Sequence, residues 1–367
     1  MRWLALLVAG LALPTGVAAA GSRATGTSEG SVPPWRIVYT LDDEKAGVGG
    51  GKGLNVLSSE ASRAQRLVRS SVADIWSLAW SPDGRRVAYT IMIPTWVKSR
   101  SEQRRRGLYS VLLGGSARHL TTAFDEGEAW SPDSESIAVT RITVTQHGAA
   151  ELPTVRGGLY IVPSAGGKPR LVARECAAPA SSVGTWSPDG KQLVVLCGDA
   201  IWVVNADGSG KRRLSGRDDG KVGVPSWSPD GSLIAYGRHC YDVRGGDVFC
   251  DLTVICPDAT GKRQLERDKS IDSASDAPPV WSSENVLLAD TWRVNLTPVG
   301  VMSVEPRTGA RRRIYPALVS NVTAGSNGTI GFLDQDSLVI LDSNGKQLLR
   351  RDLPLPSDPW LEDLWLG

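Results

Sequence analysis

The chain has 367 residues, 41% of them hydrophobic, which is enough for one large domain or two ordinary ones. Its charge is nearly balanced, with 41 basic and 39 acidic residues, so that no overall field attracts nucleic acid or an anionic membrane. Nucleic acid is therefore not among the expected partners, and the function has to be sought in the local organisation of the chain.

The N-terminus has the three parts of an export signal. Arg2 supplies the positive charge, residues 3–13 form an apolar run that Pro14 ends, and residues 18–20 are alanines suited to cleavage. The alternative, a retained membrane anchor, would need a longer run, because the hydrocarbon layer is about 30 Å thick. We therefore expect a signal peptide over residues 1–20 and no membrane span after its cleavage.

A disordered leader is expected over residues 21–34, which are rich in glycine, serine, threonine and proline. The remaining residues, 35–367, are expected to form a single folded domain. The export signal predicts that this domain works outside the cytoplasm, either secreted or in the periplasm or cell envelope.

A Trp-Ser-Pro-Asp-Gly motif at 80–84 organises the rest of the chain. It recurs with serine in the last place at 130–134 and in full at 186–190 and 227–231, and a degraded copy stands at 281–285. The proline presets the backbone of a tight turn, the aspartate bonds its own neighbours and the glycine tolerates a left-handed conformation. Because apolar strands stand on both sides of each copy, the motif predicts a β-hairpin.

Two more short strands follow each hairpin before the next motif. The third strand is apolar, as in residues 201–204, and a glycine-containing turn leads to a fourth strand that begins with arginine, as in residues 212–214. A repeat of about 50 residues that contains four short strands is one blade of a β-propeller.

This pattern, in which Trp-Ser-Pro-Asp-Gly is followed by an apolar strand, Ala-Asp-Gly-Ser-Gly and Arg-Leu, resembles the TolB-type repeat, a relative of the WD-repeat propellers. The resemblance covers roughly residues 36–366 and implies the fold, while it says almost nothing about function. TolB also carries a separate N-terminal α/β domain. Because this chain passes from the leader directly into strands, the resemblance extends to the propeller alone, and a role in the Tol system is not implied.

The number of blades follows from counting strands. Seven second strands are recognisable but only six innermost ones, the weakest of them at 318–323. The C-terminal residues 358–365 can supply the seventh by pairing with the N-terminal strands, which removes the open sheet edges. We therefore expect an all-β protein, a single propeller of seven four-stranded blades closed by its N- and C-terminal strands. Six blades are the alternative, because TolB-type propellers are often six-bladed.

The two faces of this propeller are expected to differ. Turns after the first and third strands of each blade are short and share one face. The connections from second to third strands share the other face and are long, at 41–53, 91–107, 141–158, 238–251 and 291–299. Long irregular loops are more often functional than short turns, so this loop-rich face is the candidate binding face.

The candidate binding residues lie in those long connections. The connection 91–107 is basic and carries an aromatic residue, a composition that suits an acidic partner or a phosphate, although ordinary solvated charge is the alternative. The candidates in that connection are Trp96, Lys98, Arg100, Arg104, Arg105 and Arg106. The candidates in the other connections are His147, Glu151, His239, Trp292 and Arg293.

Five cysteines in an exported chain suggest disulfide bonds. Cys240 leaves a second strand and Cys250 enters the third, so a bond between them would close the base of one long connection. Cys176 and Cys197 are a second candidate pair and Cys256 is left over, although sequence alone cannot fix the connectivity. No metal site and no other cofactor is expected, because the chain has no Cys-x-x-Cys spacing and only three histidines.

Two further features have structural explanations. The tryptophans of the motif are expected to pack between blades, each burying on the order of 200 Å². The arginines at 311–313 fall on an outermost strand, where charge blocks edge-to-edge pairing of sheets. Neither feature therefore requires a ligand.

The sequence favours an exported, non-catalytic and monomeric propeller that binds a protein, a peptide or a cell-envelope polymer through its loop-rich face. The alternative is an enzyme, a lyase or hydrolase of a polymeric substrate, at the mouth of the central channel. That activity needs histidines and acids from several blades, and only His147 and His239 are placed to contribute. A structural role without a ligand is a third hypothesis.

Overall fold

Short antiparallel strands make up almost all of the chain that the computed structural model describes. The described residues are 32–42, 52–59, 63–69, 74–93, 99–123, 125–145, 154–176, 182–242, 248–265, 271–274, 278–293, 298–317, 319–335, 337–353 and 360–367. The predicted signal peptide and most of the predicted leader lie outside them. The carbonyl of Pro34 accepts a hydrogen bond from Gly367 N at 2.9 Å, so the end of the leader contacts the C-terminus.

The four hairpins with a well-kept motif close with the same hydrogen bonds. Ser81 Oγ donates to Asp83 Oδ1 (2.5 Å) and accepts from Arg86 N (2.9 Å). Asp83 Oδ1 also accepts from Arg85 N (3.0 Å). Gly84 adopts φ 63°, the left-handed conformation predicted for the last motif position. Equivalent serine–aspartate bonds hold the turns that begin at residues 131, 187 and 228.

Two turns place a larger residue at that left-handed position. Ser134 adopts φ 62° and Asn285 adopts φ 61°. Their side-chain oxygens accept hydrogen bonds from the turn of the preceding blade, Ser134 Oγ from Asp83 N (3.2 Å) and Asn285 Oδ1 from Asp230 N (3.0 Å). These bonds between neighbouring blades help to offset the strain of the left-handed backbone.

The first strands of the chain are β1 (Trp35–Asp42), β2 (Lys52–Ser58) and β3 (Gln65–Arg69). Blade 1 consists of β4 (Asp74–Trp80), β5 (Arg86–Met92), β6 (Gly107–Leu112) and β7 (Ala117–His119), with a short helix α1 (Arg100–Gln103) between β5 and β6. Blade 2 consists of β8 (Asp125–Trp130), β9 (Ser136–Thr145), β10 (Thr154–Pro163) and β11 (Arg170–Ala173).

Blade 3 follows a 3-10 turn (Arg174–Cys176) and consists of β12 (Ser182–Trp186), β13 (Gln192–Cys197), β14 (Ala200–Asn205) and β15 (Arg212–Arg213). Blade 4 follows a second 3-10 turn (Arg217–Asp219) and consists of β16 (Ser226–Trp227), β17 (Ile234–Asp242), β18 (Val248–Ile255) and β19 (Arg263–Gln264). The described residues contain no helix with the length and apolar character of a membrane span.

After β20 (Ile271–Ala274), blade 5 consists of β21 (Val280–Trp281), β22 (Leu287–Arg293), β23 (Pro298–Val304) and β24 (Arg311–Tyr315). Blade 6 consists of β25 (Ser320–Ala324), β26 (Ile330–Asp334), β27 (Ser337–Leu341) and β28 (Gln347–Asp352). The last strand is β29 (Trp360–Leu366).

The seventh blade joins the two ends of the chain. β29 is its innermost strand and pairs antiparallel with β1, from Trp35 opposite Leu366 to Thr40 opposite Trp360, and β2 and β3 complete the sheet. The predicted ring of seven four-stranded blades, closed by the terminal strands, is confirmed. The six-bladed alternative is wrong.

The loop-rich face differs from its predicted form in two ways. β9 and β10 stay paired as far as Thr145 opposite Thr154, and β17 and β18 as far as Asp242 opposite Val248. Long strands rather than irregular loops therefore project from blades 2 and 4. In addition, β20 pairs with both β18 and β22, which makes one continuous sheet of blades 4 and 5.

Motif tryptophans join the innermost strands of neighbouring blades. Trp130 Nε1 donates to Ala79 O (3.0 Å), and Trp186 Nε1 donates to Ala129 O (2.9 Å). Both indoles are buried. The predicted packing of these tryptophans between blades is confirmed, and the indole N–H adds a hydrogen bond to it.

Arginines of the fourth strands join the outer parts of neighbouring blades. In each case the guanidinium donates to carbonyls of the turn between the third and fourth strands of the next blade. The pairs are Arg118 with Ala165, Arg170 with Ala206, Arg212 with Pro257, Arg263 with Pro306 and Arg307, and Arg312 with Ser343 and Asn344. Residues 311–313 lie on the outermost strand, as predicted, but Arg312 is a contact between blades as well as an edge charge.

Both predicted disulfide bonds are present. Cys240–Cys250 joins β17 to β18 two residues before the last pair of their hairpin, Asp242 opposite Val248, and so closes the connection between the two strands. Cys176–Cys197 joins the 3-10 turn after β11 to the end of β13 and so connects blades 2 and 3. Cys256 is a free, partly buried cysteine. The pairing that the sequence left open is thereby fixed.

We expect Trp186→Phe to lower the free energy of unfolding by about 1–2 kcal/mol, because it removes a buried hydrogen bond between blades 2 and 3. The measurement is urea denaturation followed by circular dichroism. Trp202→Phe is the control, since Trp202 is only partly buried and its indole makes no hydrogen bond to described residues. Equal losses in the two variants would contradict a specific role for the indole bond.

Candidate functional site

The most basic described part of the loop-rich face lies on blade 1. Residues 99–106, here called the arginine segment, connect β5 to β6. Their backbone forms a helical turn in which Gln103 N donates to Ser99 O (3.0 Å) and Arg104 N donates to Arg100 O (3.2 Å). Arg100, Arg104 and Arg106 are exposed and Arg105 is partly buried. The turn therefore presents several guanidinium groups to solvent.

Three stacked rings lie across the strands of blade 1 next to the arginine segment. Tyr89 on β5 is paired with Tyr109 on β6, which is paired with His119 on β7. Ring centroids are 5.3 Å apart for the tyrosine pair and 4.5 Å apart for Tyr109 and His119, with nearly parallel planes. We call this stack the aromatic ladder. Tyr89 is fully buried, so the ladder is anchored in the core.

The aromatic ladder holds the backbone of the arginine segment. Tyr109 Oη donates to Arg105 O at 2.8 Å. His119 Nε2 lies 3.2 Å from Arg106 O and donates to it in the tautomer that carries the proton there. Burial raises the pKa of Tyr109, against an opposing effect of Arg105, so the hydroxyl stays protonated as a donor at neutral pH. Two consecutive carbonyls of the segment are thus fixed from below.

The arginine segment carries a surplus of positive charge. Residues 99–106 contain four arginines and one acidic residue. Among the described residues, no acidic side chain pairs with the guanidinium of Arg100, Arg104 or Arg106. The fourth-strand arginines that join the blades are different, because their guanidinium groups are bonded to carbonyls of the fold.

A cleft between blades 1 and 2 lies beside the segment. It has a volume of about 350 Å³ and is lined by His119, Leu120, Thr121, Thr122, Ala123, Arg141 and Pro169. Gly107, which follows the segment and begins β6, has φ 128°, and a Cβ there would stand 1.8 Å from Thr121 O. Only glycine allows this close approach, which places the arginine segment directly against the wall of the cleft.

A second polar cluster lies between blades 3 and 4. Asp219 is fully buried, and its Oδ2 accepts from Lys262 Nζ (2.7 Å) and Gly216 N (2.6 Å). Arg238 Nε is 3.7 Å from its Oδ1. Burial raises the pKa of Asp219, but the bonds from Lys262 and Gly216 and the two nearby cations outweigh it and hold the pKa below its usual value. This ion cluster fixes the connection that leads into blade 4.

His239, the one described histidine among the predicted site residues, lies above that cluster. It is exposed and adopts the left-handed φ of 50°. Its Nδ1 is 3.1 Å from Asp251 Oδ2, and its Nε2 is 2.8 Å from Asp218 O. Both ring nitrogens are therefore engaged by blade 4 and the connection before it. The described residues contain no group of three or more histidine, cysteine or acidic side chains that could hold a metal.

The predicted site residues fall into three groups. Arg100, Arg104, Arg105, Arg106 and His239 are described above. Trp292 and Arg293 end β22 and pair with β20, and their side chains are outside the described part of the structure. Trp96, Lys98, His147 and Glu151 lie outside the described residues altogether. A binding role for all of these residues stays a prediction.

The residues that support the arginine segment are not evident from the sequence. Tyr109 and His119 are unremarkable in the sequence, and their stacking depends on the register of three strands. A partial signal was present, because Tyr89 and Tyr109 hold equivalent positions on consecutive predicted strands.

No protein-family model and no curated protein matches the sequence. Solved structures resemble the chain at low identity. A mutant of puromycin hydrolase is 17% identical with a TM-score of 0.61, over 96% of this chain and 57% of that one. Oligogalacturonate lyase from Vibrio parahaemolyticus is 13% identical with a TM-score of 0.55, over 89% and 90%. TolB from Acinetobacter baumannii is 16% identical with a TM-score of 0.47, over 90% and 65%.

At such low sequence identity, the similarity establishes a shared fold but no shared activity. The chain spans less than two thirds of the length of the puromycin hydrolase and of TolB. Its seven four-stranded blades confirm the predicted β-propeller, and its repeat motif is TolB-like.

Tyr109→Phe is expected to speed tryptic cleavage in the arginine segment by about threefold or more, because it frees Arg105 O and leaves the ring stacking in place. Limited proteolysis with mass spectrometry of the cleavage sites measures this rate. Tyr160→Phe in blade 2 is the matched control and should cleave like the unaltered protein. Unchanged cleavage of Tyr109→Phe would show that the hydroxyl does not order the segment.

Asp219→Asn is expected to make the free energy of unfolding depend less on pH in the acidic range. Since the folded pKa of Asp219 is depressed, its contribution is present above the unfolded pKa of about 3.9 and is lost as the pH falls through the folded value. The difference in unfolding free energy between the two proteins should therefore be largest near neutral pH and shrink in acid. Asp218→Asn, at an exposed neighbour, is the control. A difference that is constant with pH refutes the linkage.

Proposed function

We propose that the protein is an exported, non-catalytic, monomeric propeller that binds a partner through its loop-rich face, at the arginine segment of blade 1. The partner is a protein, a peptide or a cell-envelope polymer. One observation carries the proposal, namely that exposed arginines without described acidic partners stand on a backbone that the aromatic ladder holds in place.

A fixed backbone favours binding because less conformational freedom is lost when the complex forms. Guanidinium groups are also suited to recognition, since they donate several hydrogen bonds in a planar arrangement and are weakly hydrated for a cation. Surface charge that served solubility alone would not need two carbonyl contacts to an aromatic stack that is anchored in the core by Tyr89.

The two disulfide bonds support a location outside the cytoplasm, because such bonds persist in oxidising compartments. The apolar N-terminal run followed by alanines also supports export, because it has the composition of a signal peptide. Secretion or retention in the cell envelope is therefore part of the proposal.

Crosslinked co-purification from the native exported fraction tests the proposed function. A tagged chain is expected to capture a partner that the triple variant Arg100→Gln, Arg104→Gln, Arg106→Gln captures at about one tenth of that level or less, because exposed ion pairs contribute modestly but act together.

The matched control is Arg217→Gln, Arg307→Gln, Arg313→Gln, which changes three exposed arginines outside blade 1 and lowers the net charge equally. It should capture the partner as well as the unaltered chain does. Equal capture by all three proteins rejects the arginine segment as the binding site.

A further inference from the structure

The arginine segment and the cleft between blades 1 and 2 form one continuous surface. Gly107 packs against the backbone of Thr121 and Thr122, and both threonines line the cleft. Arg106 O is also held by His119, another lining residue. A ligand that lies along the segment therefore reaches the cleft without leaving the protein surface.

The charged part of this surface suits several oxyanions rather than one. Arg100 and Arg104 are one helical turn apart, so their side chains leave the same side of the turn. Arg106 stands beyond them, nearest the cleft. Each guanidinium can bind a carboxylate with two parallel hydrogen bonds. Acidic groups repeated along a flexible chain match this arrangement better than a single small anion does.

The lining of the cleft indicates which kind of side chain a ligand would place there. Leu120, Ala123 and Pro169 give its wall an apolar part, next to the threonine hydroxyls. The guanidinium of Arg141 lies 4.4 Å from the ring centre of Tyr160, so an aromatic face already covers part of the positive charge that lines the cleft. An apolar side chain is thus a better occupant of the cleft than another acidic group.

We propose that the partner presents an acidic peptide segment with an apolar side chain. Its carboxylates contact Arg100, Arg104 and Arg106, and its apolar side chain enters the cleft between blades 1 and 2. The inference rests on the proposed function and adds the chemistry of the partner. An acidic polysaccharide or a polyphosphate supplies the charges but has no apolar side chain for the cleft.

Fluorescence anisotropy with the full chain tests this inference. The probe is a labelled glutamate-rich peptide with one central leucine, and the matched probe has serine in place of leucine. The leucine peptide is expected to bind about fivefold more tightly, because the leucine leaves water when it enters the cleft. Binding of both peptides should weaken as salt is added.

Three variants separate the two parts of the surface. The triple arginine-to-glutamine variant should lose about tenfold in affinity for both peptides. Arg100→Lys, Arg104→Lys, Arg106→Lys keeps the charge and should retain part of the affinity. Thr122→Trp, which fills the cleft, should bind the serine peptide normally and lose the preference for leucine. Circular dichroism of each variant checks that the propeller remains folded.

Two results would overturn the inference. Equal affinity for the leucine and serine peptides rejects the cleft as an apolar subsite. Tighter binding of polygalacturonate or polyphosphate than of the leucine peptide, measured by competition, rejects an acidic peptide as the partner. In either case, loss of native capture by the triple glutamine variant would leave the proposed function standing, so the two failures can be told apart.

Discussion

The antiparallel pairing of β29 with β1 places the last strand of the chain innermost in the same blade as the first three. This pairing converts a row of blades with two open edges into a ring in which each blade has two neighbours. The contacts between blades depend on ring closure, because an indole or guanidinium group on one blade needs carbonyls of a neighbouring blade at a fixed distance. Closure is therefore the constraint from which the regular spacing of the other contacts follows.

Contacts between blades use the repeat in two layers. Near the channel, Trp130 and Trp186 bond to the innermost strand of the preceding blade. At the rim, Arg118 and its counterparts bond to the turns of the following blade. The repeated motif and one arginine on the fourth strand of each of blades 1 to 5 are thus used to hold the ring together. The loop-rich face, where the connections differ from blade to blade, is therefore where we propose that a partner binds.

Sequence reasoning succeeded where the determinants are local. The Ser81–Asp83 bond and the left-handed Gly84 are set by five consecutive residues, and their recurrence gives the blades and the ring. It failed where distant residues meet. The aromatic ladder requires the register of three strands, and the ion pair of the buried Asp219 with the exposed Lys262 joins residues 43 positions apart. The strand β20 escaped notice because it lies outside the four-strand period.

Arginine illustrates why composition alone could not locate the site. Arg312 and Arg104 both stand in arginine runs, at 311–313 and 104–106, and both are exposed. Arg312 faces two carbonyls of the next blade and is bonded to them. Arg104 projects from a turn whose own carbonyls are held from below, so its guanidinium faces solvent. Backbone geometry, rather than charge, decides which arginine stabilises the ring and which is left exposed to solvent.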